Sequence, residues 1–143
     1  MSVTRAGCAT LLETVISADK GGVLTSALLI LQVVIALGIV NVWILRFSKT
    51  TAWRGSSATN MKEEFQAYGL PPWSVAVIGF LKLACAAALL AGIWFPVVTQ
   101  PAAIALAVLM LGAILMHLKV KDPPKKSLPA FIMLGLCLIV VFL

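Results

Sequence analysis

A single lysine, Lys82, lies ten residues into the stretch from Trp73 to Phe95, in which no other side chain is charged at neutral pH. This stretch is long enough to cross a lipid bilayer as a helix. Ionisable groups inside the hydrocarbon layer are costly, and those that occur face a helix bundle or a cavity, pair with other polar groups, or mark a functional site. Lys82 is therefore the first candidate for a functional residue.

Three further polar side chains can lie near Lys82. At a rise of about 1.5 Å per residue, Lys82 is about 13 Å from Trp73, where its stretch begins. Asn41 is about 9 Å from Phe47, the end of the first apolar stretch that lies on the same side of the membrane. His117 lies at this end of a third apolar stretch, and Glu64 lies in the intervening loop. Because a lysine side chain can extend several ångströms along a helix, we predict a ligand-binding polar cluster in which Lys82 pairs with Glu64. Asn41 and His117 complete the hydrogen bonds of the cluster.

The same residues also have a purely structural interpretation. Lys82 can extend to the lipid head groups, and Asn41 and Gln32 can form hydrogen bonds between helices. His117 precedes two lysines, as is typical of a residue at a membrane interface, and no carboxylate or cysteine stands at metal-ligand spacing from it. The sequence predicts no metal site and identifies no cofactor.

The composition indicates an integral membrane protein. The chain has 143 residues, of which 62% are hydrophobic and 11% charged, with a mean hydropathy of +1.08. A soluble domain of this size needs more polar surface. Four apolar stretches, at about 23–47, 73–95, 102–118 and 128–143, approach or exceed the roughly 20 residues that a helix needs to cross a bilayer. We predict an all-α membrane protein, a four-transmembrane-helix bundle in one domain, 23–143.

Residues 1–22 form a separate N-terminal segment in this interpretation. They carry Glu13 and Asp19 among scattered apolar residues, which is not the basic start and apolar core of a secretory signal peptide. The first apolar stretch is therefore expected to stay in the mature protein, with 1–22 outside the cytoplasm.

The loop between the first two spans contains a short interfacial helix at 60–68. Asn60 is followed by Glu63 at the third helical position, close to a capping box, and Gly69 with two prolines ends the helix. At about 100° per residue, Glu64 lies at the edge of the apolar stripe and Glu63 on the opposite side. We therefore expect Glu64 to face the bundle and Glu63 to face water.

Basic residues mark the orientation. Eight of the eleven lysines and arginines lie in the loops 46–72 and 118–127, and the loop from Pro96 to Pro101 has no charge. By the positive-inside rule, both basic loops are cytoplasmic and both termini lie on the outer side of the membrane. We therefore predict a multi-pass protein of the cell inner membrane. The net charge of +6 is thus a topology signal, typical of contact with anionic head groups and not of nucleic-acid binding.

The remaining patterns suggest packing and no identifiable reaction. Three cysteines, Cys8, Cys85 and Cys137, are far apart without a C-x-x-C pair, which argues against thiol redox chemistry. Ala84, Ala88 and Gly92 recur every four positions, a spacing that lets helices approach closely in lipid. Tryptophans near the ends of the spans are expected to anchor them at the interface; they are Trp43, Trp73 and Trp94.

Several segments together resemble the DoxX-like family of small four-helix bacterial membrane proteins. They are Met61–Trp73, Gly79–Lys82, Leu111–Pro123 and Ser127–Ala130, and the resemblance extends over about 23–143. It implies a four-helix bundle but little about activity. Some relatives are linked with membrane quinone or thiosulfate oxidoreductase systems, and distant eukaryotic ones with receptor assembly.

Two classes of function remain open, and whether the protein is an enzyme stays undecided. The first, which the absence of a catalytic set of residues and the small-residue stripe favour, is a non-catalytic membrane subunit or assembly factor, with a membrane-protein partner or a second copy of the chain. The second is a binder of a small lipophilic molecule such as a quinone, accessory to a membrane oxidoreductase, in a pocket lined by Lys82, Asn41 and His117. A transporter is less favoured, because the four short spans show no broken helix pair.

The orientation predicts a labelling result in intact cells. A cysteine placed at Ser56, in the first basic loop, should be protected from a membrane-impermeant thiol reagent until the membrane is opened. Labelling of that cysteine from outside would show that the orientation is reversed.

Overall fold

The computed structural model describes residues 3–143, with side chains from residue 7 onward. The described chain is helical and contains no strand, with four helices long and apolar enough to cross a membrane, which confirms the predicted all-α architecture. In order, the helices are α1 (Val3–Val40), a π-helical turn (Asn41–Leu45), α2 (Met61–Ala67), α3 (Trp73–Ala91), a 3₁₀ turn (Pro96–Val98), α4 (Thr99–Lys119) and α5 (Pro124–Phe142).

Helix α1 is much longer than a membrane span. Its 38 residues extend over about 57 Å, compared with about 30 Å of hydrocarbon. Only its second half joins the bundle, where Gln32, Ile35, Ala36 and Ile39 are buried. Residues 7–26 are exposed, so the first half of α1 projects away from the other helices. The predicted separate N-terminal segment is thus, from Val3 onward, part of one continuous helix with the first span.

The sequence signals at both ends of α2 act as expected. The Asn60 side chain accepts a hydrogen bond from the Glu63 backbone N–H, at 3.0 Å, and Glu63 accepts from the Thr59 N–H. Gly69 adopts a φ of 75°, which glycine tolerates, and the N–H groups of Gly69 and Leu70 turn back to carbonyls of the last turn. As predicted, Glu63 is exposed and Glu64 is buried. The backbone geometry of α2 thereby aims Glu64 at the bundle.

Helix α3 is central to the bundle and contacts α1, α2 and α4. Its buried face is the one that carries Lys82, together with Val75, Gly79, Ala86 and Leu89. The small-residue stripe on the other side is covered only at its end, because Ala84 is exposed and Ala88 half-buried. Close packing within one chain therefore uses the Lys82 face and Gly92, not the whole stripe that was predicted.

Helices α4 and α5 form an antiparallel pair that closes the bundle. They contact each other along their length, and the short turn 120–123 joins them. Pro124 occupies the first turn of α5, where its missing N–H has no cost. The core between the helices is built from small and branched apolar residues, including Ile35, Leu89, Ala103, Leu106 and Cys137.

One polar contact ties three helices together at the end of the bundle away from α2. The Gln32 side chain of α1 donates to the Leu89 carbonyl of α3, at 3.1 Å, and to the Thr99 hydroxyl of α4, at 2.9 Å. Gly92 makes this approach possible, because a Cβ there would lie 2.1 Å from the Thr99 Oγ1. Gln32 is therefore interhelical hydrogen-bonding glue, the role that its structural interpretation gave it.

The substitution Gly92→Ala should destabilise the protein, by about 1–3 kcal/mol, because the added methyl group forces Thr99 and Gln32 apart. Gly135→Ala on α5 is the matched control, since nothing lies within 4 Å of a Cβ at that position. Thermal unfolding in detergent, followed by circular dichroism, should show a lowered midpoint for Gly92→Ala alone. Equal midpoints for the two variants would contradict the close contact.

Candidate functional site

A cavity of about 710 Å³ lies between the helices at the end of the bundle that carries α2. Its wall includes residues of α1, the loop 46–60, α2, α3, α4 and α5. All four residues of the predicted cluster line it: Asn41, Glu64, Lys82 and His117. The structure thus brings these side chains to one space, although it pairs them differently from the prediction.

The π-helical turn at the end of α1 places an aromatic ring in the wall. The Arg46 N–H donates to the Asn41 carbonyl five residues earlier, at 2.9 Å, and this wider turn precedes the loop. Trp43 within the turn is buried, and its ring lies against Phe65 in an edge-to-face arrangement, with centroids 6.0 Å apart. Trp43 is therefore part of the core, and its predicted role as an interfacial anchor is wrong. Trp73 and Trp94, at 66% and 73% exposure, remain available as anchors.

Lys82 lies over the Trp43 ring. Its Nζ is 5.3 Å from the ring centroid, a cation–π distance, and the residue is 8% exposed. Gly79, one turn earlier on α3, leaves room for the ring, since a Cβ there would lie 2.7 Å from Trp43. Among the described residues, Lys82 has no hydrogen-bond or salt-bridge partner. This residue is thus held by packing and by the face of an aromatic ring.

Glu64 pairs with Arg54 and not with Lys82. Its Oε2 is 2.9 Å from the Arg54 Nη1, and both side chains are buried. Its Oε1 accepts from the Gly55 N–H and the Tyr68 hydroxyl, both at 2.8 Å. The predicted direct Lys82–Glu64 pair is therefore wrong. An arginine of the loop satisfies the carboxylate because its planar group offers several donors at once.

Arg54 also organises the loop that covers the cavity. Its guanidinium group donates to the backbone carbonyls of Lys49, Arg46 and Phe47, and its Nη1 contacts the sulfur of Met61. These carbonyls follow the π turn, and two of them also accept backbone N–H groups, Arg46 from Lys49 and Phe47 from Met61. A single buried cation thus connects the end of α1, the loop and α2.

Tyr68 fills the space beneath the loop. A Cβ on Gly55 would lie 2.3 Å from its hydroxyl oxygen, so only glycine allows the loop to pass this close. The pKa of Tyr68 is raised, first by burial and then by the Glu64 carboxylate that accepts its hydrogen bond. The hydroxyl therefore remains a neutral donor, and it also lies 3.4 Å from each ring nitrogen of His117.

His117 connects the cavity to the turn between α4 and α5. Its Nδ1 is 2.9 Å from the Asp122 Oδ2, while the Asp122 Oδ1 accepts from the Ser56 N–H, also at 2.9 Å. Lys126 donates to the Ser56 carbonyl and lies 3.7 Å from Asp122. The Asp122 side chain is largely buried, although it lies in the short turn between two helices.

The environment of Asp122 favours its ionised form. Burial on its own raises the pKa of this carboxyl, but hydrogen bonds from His117 and the Ser56 N–H, with the charge of Lys126, hold its pKa below the usual value. Ser56 has a φ of 54°, unusual for a residue with a side chain, and its N–H and C=O are both bound by the α4–α5 side. The contacts of Ser56 therefore hold the loop 46–60 to the bundle at a second point, in addition to the Arg54–Glu64 pair.

Sequence reasoning missed the residues that organise this site: Trp43, Arg54, Tyr68 and Asp122. Tyr68 lies on the apolar stripe of α2 by its position in the helical period, and its hydroxyl is a signal that a polar partner lies inside. Arg54 gave a weaker signal, because it is one of several cations in a basic loop. Its partner depends on the path of the loop, which no helical period defines.

Glu64→Gln should destabilise the protein by about 3 kcal/mol or more, because Arg54 then keeps a buried charge without a counter-ion. Glu63→Gln is the matched control on the exposed side of α2, and it should cause a smaller loss. Adding Arg54→Met to Glu64→Gln should recover part of the stability, whereas adding Lys82→Met should recover less. Thermal unfolding of the four variants in detergent tests this. A larger recovery of stability with Lys82→Met than with Arg54→Met would show that Lys82, and not Arg54, is the partner of Glu64.

Comparison with known proteins identifies the family. A search of curated proteins and a search of solved structures gave no match. The profile of the DoxX-like family matches residues 30–141, which contain the bundle and every residue of the site described above. This chain is therefore a member of the DoxX-like family and an integral membrane protein, and four helices of its described residues are long and apolar enough to span the membrane.

Proposed function

We propose that this protein binds a small lipophilic molecule in the cavity between its helices. The observation that carries the proposal is the cavity itself, because about 710 Å³ is within the roughly 300–1,000 Å³ typical of small-molecule sites. The space is large enough for a ring system such as a quinone head group or for part of a lipid chain.

The lining combines apolar and polar groups, as expected for an amphipathic ligand. Val108, Leu109, Met110 and Met133 of α4 and α5 are apolar. Asn41, Lys82 and His117 supply polar groups to the same cavity. A few polar groups at fixed positions orient a ligand, and the apolar side chains contact the rest of the ligand.

We assign no reaction to the protein, and the proposal concerns binding and the location of the site in the membrane. We place the protein in the cell inner membrane with both termini outside, on the strength of the basic loops. The site then opens at the cytoplasmic side of the bilayer. A role beside a membrane oxidoreductase fits a lipophilic ligand such as a quinone.

A second candidate function is that of a membrane subunit or assembly factor that holds another protein. It is supported by the projecting first half of α1, whose large apolar side chains Leu11, Leu12, Val15 and Ile16 are exposed. Photo-crosslinking from position 12 in native membranes tests it. Crosslinks to a discrete protein band support this function, and crosslinks to lipid alone contradict it.

The cavity predicts a difference between two glycine variants. Nothing lies within 4 Å of a Cβ at either Gly112 or Gly135, so both positions have space for a larger side chain. Gly112 lines the cavity and Gly135 does not. Gly112→Phe should therefore fill the cavity and remove a bound lipophilic molecule, whereas Gly135→Phe should retain it.

Mass spectrometry of the purified proteins, with extraction of bound lipids and quinones, measures this difference. We expect one ligand class, at near one molecule per chain, with wild type and Gly135→Phe and a loss of at least about tenfold with Gly112→Phe. The same co-purified molecules in all three proteins would show that they are annular lipid, and the proposal would then be wrong.

A further inference from the structure

We propose that the cavity ligand carries an anionic head group, such as a carboxylate, and that Lys82 is the residue that binds it. This inference rests on the proposed function, because it names the class of molecule that occupies the same cavity. Three observations support it: the lack of a partner for Lys82, the charges of the cavity wall, and a second polar group without a partner.

Lys82 is the first observation. An ammonium group has three donors, and one that is nine-tenths buried is normally paired or hydrogen-bonded. Here its contact is the Trp43 ring, and its nearest potential counter-ion, Glu64, already accepts from Arg54, Gly55 and Tyr68. Within the part of the chain that is described, no acceptor remains for Lys82. The missing acceptor can come from a ligand in the cavity that Lys82 lines.

The charges of the wall are the second observation. Four cationic side chains line the cavity, Arg46, Arg54, Lys82 and Lys126, and one carboxylate, Glu64. That carboxylate is paired with Arg54, and Lys126 lies beside Asp122. The remaining excess of positive charge makes the potential in the cavity positive, and low-dielectric walls strengthen it. A positive field favours an anion over a neutral molecule of the same shape.

Asn41 supplies the third observation. Its side chain lines the cavity and forms no hydrogen bond with the described residues, whereas its backbone carbonyl serves the π turn. An amide N–H can add a second hydrogen bond to a head group that Lys82 binds. A carboxylate accepts from both groups at once, because its two oxygens provide several lone pairs.

The rest of the cavity selects a molecule with an apolar body. Apolar side chains of α4 and α5, among them Val108, Leu109 and Met133, form part of the wall. A small hydrophilic anion gains nothing from this surface, whereas an alkyl chain gains about 25 cal/mol for each Å² removed from water. The combination points to a lipophilic acid with its carboxylate towards Lys82.

Binding of a matched acid and alcohol tests the inference. The protein is placed in zwitterionic lipid nanodiscs at neutral pH, and a radiolabelled medium-chain carboxylic acid and the alcohol of the same chain length are titrated. The Gly112→Phe protein measures partition into the bilayer and is subtracted. Wild type should bind the acid at least about tenfold more tightly than the alcohol, as expected for a charge-assisted pair in a buried site.

Two lysine variants separate Lys82 from the general charge of the cavity. In Lys82→Met, which keeps the unbranched side chain but removes the ammonium group, the preference for the acid should fall to within about twofold. In Lys126→Met, at a lysine that also lines the cavity, most of the preference should remain. An unchanged preference in Lys82→Met, or an equal loss in both variants, would overturn the assignment of Lys82.

A labelling experiment on wild type covers the case in which Lys82→Met does not fold. A membrane-permeant amine-acylating reagent is applied with and without ligand, and the modified lysines are identified by peptide mass spectrometry. The acid should protect Lys82 at least about threefold more than the alcohol does, with exposed Lys62 as the internal reference. Equal labelling of Lys82 in the presence of bound acid would contradict the contact.

The outcomes separate this inference from the proposed function. If acid and alcohol bind equally well and Gly112→Phe abolishes both, the cavity binds lipophilic molecules and the anionic assignment is wrong. If neither ligand binds above the level of Gly112→Phe and no co-purified molecule is found, both proposals are wrong.

Discussion

The buried pair of Arg54 and Glu64 is the interaction on which this end of the molecule depends. Neither charge can stand alone in a place closed to water, so the loop has to bring its arginine to the carboxylate of α2. Once it is there, the guanidinium group binds the carbonyls at the end of α1, and Gly55 and Tyr68 close around the other carboxylate oxygen. The loop is therefore a defined part of the bundle that covers one side of the cavity.

This pairing also determines the chemistry of the cavity. Two cations compete for one carboxylate, and the arginine has the better geometry, because a planar group with several donors satisfies both the carboxylate and nearby carbonyls. Lys82 is left with the face of Trp43, which lowers the cost of burial but offers no oxygen. The positive excess of the site is thus a consequence of how the loop folds, and not of the sequence of α3 alone.

The features that could be predicted from the sequence are those with a period or a local signal. Hydropathy located the four spanning helices, the cap at Asn60 located α2, and the helical period distinguished Glu64 from Glu63. Helix rise and the reach of a lysine side chain predicted that Lys82, Asn41 and His117 lie close together, and they line one cavity. The partners of these groups could not be predicted, because Arg54 and Asp122 reach them through irregular segments whose path depends on tertiary contacts. The burial of Trp43 was missed for a related reason, since a tryptophan near the end of a span has the same pattern whether it turns to lipid or to the core.

The continuity of α1 has a mechanical consequence. The helix that supplies the Trp43 side of the cavity is the same helix whose first half stands free of the bundle, and regular backbone hydrogen bonding makes its 38 residues a stiff rod. If α1 tilts by about 5° around the level of Gln32, its free end moves by a few ångströms. The turn that holds Trp43 then moves in the opposite direction. The free half of α1 and the Trp43 side of the cavity wall therefore belong to one continuous helical element, and a rotation of this element would move both together.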